Sequence, residues 1–227
     1  MNLNEFQASI EIEKAWREED IRFYNNLMAK LDTSEQLRMR KSIICILYAH
    51  IEGFVYYTLS LYIESINNLD LKCKDVKPAI AAAALSDAFT ALKNPDRKND
   101  LFKRKFPDDT KLHRICREME FIENSLSIQN KTVRIPKKFI NTESNVGPDI
   151  LRKLLYQLGL NYVDFENLKD DLNQLLVSRN NVAHGKIKDG ISEIDYQRYK
   201  DCFHQIFSRL SNLMVMAYAN RDYLISS

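Results

Sequence analysis

Apolar side chains recur along this chain at intervals of three and four, the period that gathers them on one face of an α-helix. Over residues 4 to 31, Phe6, Ile10, Trp16, Ile21, Tyr24, Leu27, Met28 and Leu31 form such a stripe and predict a first amphipathic helix. Asp32-Thr33-Ser34 then offers N-cap oxygens, with Gln36 three residues after Thr33 in capping-box register, so a second helix is expected to start there. That helix covers residues 35 to 67, with Ile43, Leu47, His50, Phe54, Tyr57 and Leu61 on one face and Ile44, Ile51, Val55, Thr58 and Tyr62 widening it. A helix apolar over more than half its circumference is the expected centre of a bundle. Glu52 lies in its middle, where a carboxylate is costly unless it sits on the polar strip or belongs to a site.

Further helices are predicted over 78 to 93, stopped by Asn94-Pro95, and over 109 to 127, where Leu112, Ile115, Met119, Ile122 and Leu126 step by three and four. Pro148 opens another, with Ile150, Leu151, Leu154, Leu155 and Leu158 inward and Gly159 at its end. One more begins near 166 with Leu168, Leu172, Leu175 and Leu176 inward. The last runs from Ser192, with Asp195 at its third position, through Tyr199, Phe203, Ile206, Phe207, Leu210, Leu213 and Met214 to about Tyr223. Two stretches lack the helical period. Residues 93 to 111 hold seven basic and four acidic side chains and read as a solvated, charged connector. Residues 128 to 147 read as a loop or short hairpin; Lys131, Arg134, Lys137 and Lys138 there could receive a phosphate backbone or simply balance acidic helices.

Composition agrees with an all-α chain. Five Gly and five Pro in 227 residues are too few for many short strands, each needing its own turn. No run approaches the roughly 18 uninterrupted apolar residues of a membrane span, since Tyr48-Ala49-His50-Ile51-Glu52 breaks the best candidate. The first residues lack the basic start and apolar run of a secretory signal, so a cytoplasmic location is expected. With 33 basic and 31 acidic residues the net charge is only +2, which excludes holding nucleic acid by a global positive field and leaves only local contacts. Cys45, Cys73, Cys116 and Cys202 form no C-x-x-C pair and no ligand spacing with a histidine, so no metal site is expected. Cys45 and Cys202 read as small hydrophobes, His50 and His204 as satisfied interior histidines, and His113 as an exposed one.

One constellation carries chemistry. Arg179-Asn180-Asn181-Val182-Ala183-His184-Gly185 closes the helix that begins near 166. Residues five apart differ by about 140° in azimuth on an ideal helix, so Arg179 and His184 share a face only if the last turn departs from α geometry, which Gly185 permits. An imidazole titrates near neutral pH and can take or give a proton, while a guanidinium keeps its charge and can bridge phosphate oxygens. These are the needs of metal-independent RNA cleavage, and two copies of the pair would supply both an acid and a base. The alternative is purely structural: Arg179 as a cation at a helix C-terminus and His184 as its cap, worth about 0.3 to 1 kcal/mol.

Arg179 to His184 form an R-x4-H motif with Asn directly after the Arg, and it resembles the active-site motif of the HEPN superfamily of helical ribonucleases. Trp16 to Tyr24, the helix around His50-Ile51-Glu52-Gly53, Gly147 to Leu151 and the final helix are similar to the MAE_28990-type and RiboL-PSP branches. The resemblance implies one HEPN-like helical bundle over residues 1–227, with the connector 93–111 and the segment 128–147 inside it. It implies Arg179 and His184 as the catalytic pair, Asn180 as an orienting group and Glu52 as the acidic residue of the long helix. Lys186, Lys188 and Asn181 would be RNA contacts, with no metal and no cofactor. It further implies a homodimer cutting RNA by 2′-hydroxyl attack, as a toxin or anti-phage effector with an antitoxin or defence-system partner and no membrane. The same superfamily contains members that bind nucleotides or scaffold partners without cutting, so a non-catalytic interaction or RNA-binding subunit is the alternative.

Overall fold

The computed structural model describes residues 1–143 and 145–225, and among them every regular element is helical apart from two isolated β-bridges. The fold is all-α. The long helices are α1 (Leu3–Met28), α2 (Thr33–Asn67), α8 (Lys169–Ala183) and α9 (Glu193–Ala219). Short helices α3 (Pro78–Ala84), α4 (Ser86–Lys93), α5 (Thr110–Glu123), α6 (Ser125–Gln129) and α7 (Pro148–Gln157) fill the connection between α2 and α8.

Helix α2 is the axis. Helices α1, α8 and α9 all pack on it, and α9 also packs on α1 and α8. Its predicted inner positions are buried, from Ile43 and Leu47 through Phe54 to Tyr62, with only Tyr57 half-exposed. Phe54 stacks on Phe207 of α9 at 4.1 Å between ring centroids, and Phe203 lies 4.1 Å further along. Each such aromatic contributes about 1.5 to 3 kcal/mol by leaving water. By length and composition α2 could cross a membrane, but 56% of that apolar stretch is buried in the bundle, so packing accounts for it.

Caps explain where the helices begin. Asn2 with Glu5 and Asp32 with Glu35 form reciprocal capping boxes, the second one residue earlier than the Thr33 and Gln36 pairing expected. Asp109 caps α5, and the Ser192 hydroxyl caps α9 by accepting the Asp195 N–H at 3.1 Å. The helix expected over 78 to 93 breaks at Leu85, and that expected over 109 to 127 breaks at Asn124. Residues 163 to 168, partly expected as helix, form a 3-10 turn that leads into α8.

The α1 stripe contains a substitution of roles. Trp16 is 46% exposed, and Arg17 takes the buried place. Burial of that cation is possible because Glu13, one turn earlier, pairs with it at 2.5 Å and His50 of α2 accepts from it at 3.2 Å. Trp16 covers the edge of this cluster, 4.4 Å from the Arg17 guanidinium and edge-on to His50. Gly53 makes room: a Cβ there would lie 2.7 Å from Arg17 Nη1. His50 is thus an interior histidine with both ring nitrogens engaged, the second to Asp20 at 2.9 Å.

Two histidines depart from expectation. His204 is exposed and pairs with Glu18 at 3.5 Å. His113 is buried, accepting from the Asn99 N–H at 3.1 Å and donating to the Phe106 carbonyl at 2.9 Å. With Arg117, which donates to the carbonyls of Leu92 and Arg97, it fastens the connector 93–111 onto α5. The apolar stripe Ile115, Met119, Ile122 and Leu126 consequently faces solvent.

The segment 128–147 is irregular, with one bridge from Thr132 to Lys72 and a 3-10 turn over Lys137–Phe139; Ser144 lies outside the described residues. Val133, Ile135, Ile140 and Val146 are buried beneath it. Its cations are largely spent within the protein: Arg134 on Asp70, Lys137 on Glu64 and Lys138 on Asp87.

Candidate functional site

Along α8, Leu172 and Leu175 are buried against the bundle, and Arg179 follows Leu175 by four residues, so the same face carries it toward α2. There its guanidinium lies 4.5 Å from the ring centroid of Tyr48, which is fully buried. Its Nη1 donates to the Asn180 side-chain oxygen at 2.8 Å. Among the described residues no carboxylate pairs with it, so a half-buried cation is held by a π-face and a neutral amide alone. Ser178, one residue before it, shares a 2.8 Å hydrogen bond with the Tyr199 hydroxyl and ties this turn to α9.

Cys45, Tyr48 and Glu52 of α2 follow one another at three and four residues and so share the face that meets this turn. The charge of Arg179 reaches the first two. Burial raises the Cys45 thiol, with Arg179 opposing it. Burial and then the Glu52 carboxylate push the Tyr48 phenol up to about 12, against Arg179 and the backbone of Val146. That backbone approach does not amount to a regular hydrogen bond, and among the described residues the buried Tyr48 hydroxyl has no good partner. Glu52 is half-buried and accepts from the Thr142 hydroxyl at 3.1 Å. Arg179, Asn180, Tyr48 and Glu52 therefore form one neighbourhood, with Glu52 beside Tyr48 rather than paired to Arg179.

His184 stands apart from it. It is the C-cap residue of α8, exposed, and no hydrogen bond joins it to Arg179. Helix α8 stays regular through Ala183, so the 140° offset persists. The helix end is completed by backbone alone: Gly185, at φ 68°, donates to the Val182 carbonyl, and Lys186 donates to Asn181 at 2.8 Å. This is a Schellman ending, and it uses neither the Arg179 nor the His184 side chain. His184 is therefore the cap by its backbone, and its side chain makes no hydrogen bond to the helix end.

After Gly185 the chain turns back onto α2. Gly190, at φ 123°, passes so close to Leu37 that a Cβ would lie 2.5 Å from its carbonyl, and Ile191 donates to that carbonyl at 3.2 Å. Lys41 donates to the Lys188 carbonyl at 3.0 Å, and buried Arg40 pairs with Glu193 and donates to Gln36. Lys186 and Lys188 are exposed on this anchored loop beside His184, and Asn181 is half-buried. Among the described residues no group of three or more His, Cys, Asp or Glu is placed to hold a metal ion. All four cysteines are free, and burial pushes the Cys202 thiol up to about 12.

Tyr48 is the site residue that the sequence pattern did not single out, because a tyrosine inside an apolar run reads as core. Its only sequence signal is its position one turn before Glu52.

A model of the RiboL-PSP-HEPN family matches residues 12–215 of the chain, which takes in all of α2 and α8 with its motif and most of α1 and α9. No curated protein and no solved structure matches it.

Proposed function

Because this chain belongs to the RiboL-PSP-HEPN family, we propose that it is an RNA endonuclease cutting by 2′-hydroxyl attack, without metal, at a site composed from two copies. The observation that supports this best is Arg179 itself: a cation desolvated on one side, fixed over Tyr48 and, among the described residues, without a carboxylate, is ready for an anion from outside. Five residues on, His184 presents an imidazole to solvent.

In the proposed reaction one His184 takes the proton of a ribose 2′-hydroxyl as that oxygen attacks phosphorus. The bond from phosphorus to the 5′-oxygen breaks, and the second copy's imidazole gives that oxygen its proton. Arg179 stabilises the negative charge growing on the non-bridging oxygens. Products end in a 2′,3′-cyclic phosphate and a 5′-hydroxyl. The proposed RNA contacts are Lys186 and Lys188, exposed on the loop after His184, and the half-buried Asn181. The segment 131–138 contributes less than its composition suggests, since three of its four cations are paired. A toxin or anti-phage role, with an antitoxin or defence-system partner, follows from the family's usual settings.

The test is incubation of the purified protein with RNA in EDTA. Cleavage with cyclic phosphate ends, lost in Arg179→Ala and in His184→Ala, supports the reading; an intact substrate under every partner and effector condition tried overturns it. Toxicity on expression, relieved by His184→Ala, tests the cellular role.

The second reading is a non-catalytic helical interaction or RNA-binding subunit. The wide apolar face of α2 around Phe54 does not support it, since Phe54 is buried against Phe207. The exposed stripe Ile115, Met119, Ile122 and Leu126 does.

A further inference from the structure

A guanidinium that must meet phosphate oxygens has to be held in place without being neutralised. A carboxylate would fix it but would also cancel its charge, whereas an aromatic face fixes it and leaves the charge available. Arg179 has the second arrangement, 4.5 Å from the centroid of the Tyr48 ring. Tyr48 is fully buried on α2, where Leu47 and Ile51 are buried too. Among the described residues its hydroxyl has no regular hydrogen bond, so hydrogen bonding does not explain why an aromatic stands there.

We propose that Tyr48 is a positioning residue for Arg179, its ring serving as the platform that orients the guanidinium toward an incoming phosphodiester. This rests on the ribonuclease reading of the site. Tyr48 touches no reacting atom; it acts by restricting where the Arg179 fork points, and the geometry gives Asn180 the role of setting the rotation of that fork from the side. The face of the ring matters and the hydroxyl does not. The interaction should therefore track the electron density of the ring, which a merely space-filling side chain would not do.

The experiment replaces Tyr48 by phenylalanine, by a series of phenylalanines with one, two and three ring fluorines, and by leucine. Cleavage rates are read beside the Nε–H resonance of Arg179 in 15N spectra, assigned by its loss in Arg179→Lys. Tyr48→Phe should keep kcat within about threefold, and fluorination should lower it stepwise to a total of about 2- to 30-fold with KM less affected. The Arg179 resonance should show a ring-current shift in the wild type and in Tyr48→Phe that Tyr48→Leu abolishes. Equal rates across the fluorine series, or an Arg179 resonance indifferent to the ring, overturn the proposal, and the fluorinated proteins decide this even if Tyr48→Leu does not fold. If the wild type cuts no RNA while the ring-current shift is present, the platform stands and the ribonuclease reading is what has failed.

Discussion

Arg179 and His184 occupy the same end of α8 yet address different surroundings, the first turned onto Tyr48 and the second exposed beyond the helix end. Within one chain they share no hydrogen bond, and the regular helix between them keeps their directions about 140° apart. If they act on one phosphodiester, the Arg179 of one copy and the His184 of another are the natural partners. Because both imidazoles are used, refolding wild type together with an excess of His184→Ala protein should lower cleavage below that of the same amount of wild type alone, since mixed pairs hold one imidazole. Cleavage that simply follows the amount of wild type present places acid and base within one chain.

The exposed stripe on α5 and α6 predicts an inversion of the usual hydrophobic rule. Met119→Lys and Ile122→Lys replace side chains that are 55% and 69% exposed, so each should change unfolding free energy by no more than about 0.5 kcal/mol. His113→Ala, a polar position on the opposite face, strips partners from the Asn99 N–H and the Phe106 carbonyl and should cost about 2 kcal/mol. Urea unfolding of the three variants checks the order.

The same inversion shows what the amino-acid pattern could and could not reveal. Alternation by three and four located α1, α2, α8 and α9, because each buries an apolar stripe against other side chains, and the R-x4-H spacing pointed to Arg179 and His184. On α5 the period marked a helix, but the inner face meets a connector poor in apolar groups, whose carbonyls need donors; Arg117 and His113 supply them, and the stripe is left outside. Arg17 escaped for a related reason. A lone arginine is assigned to the polar side unless its partners are known, and His50 lies 33 residues away. Tyr48 joined Arg179 only when α8 crossed α2.

His50 predicts a pH dependence of stability. Burial lowers its affinity for a proton and the Arg17 charge adds to this, with the Asp20 hydrogen bond opposing. Arg17 can only donate, so it meets an unprotonated Nδ1 and leaves the ring proton on Nε2 for Asp20. The unfolded chain binds the proton near pH 6.5 and the folded chain only at lower pH, so stability is full above about 6.5 and declines as pH falls below it. Denaturant midpoints between pH 7.5 and 5 should show that decline, and His50→Gln should flatten it. An unchanged slope in His50→Gln assigns the decline to other groups.

Gly53 ties this cluster to the packing of α1 on α2. In an unobstructed helix, Gly→Ala adds roughly 0.5 to 1 kcal/mol of stability. Here a methyl at 53 would lie 2.7 and 2.8 Å from the two Arg17 amino nitrogens. The guanidinium cannot simply swing aside, because Glu13 binds it at Nε and Nη2 while His50 takes Nη1. Gly53→Ala should therefore destabilise by about 1 to 3 kcal/mol, the usual range for overpacking. Arg17→Ala should be destabilising as well, since it leaves Glu13 only the Trp16 N–H as a partner and opens a void. Combined, the two should be strongly non-additive: once Arg17 is gone, the alanine at 53 fills part of the void and regains its helix propensity. A double-mutant cycle by urea unfolding measures the coupling. Additive effects would mean that α1 and α2 can move apart at this point, and that Gly53 is not what sets their separation.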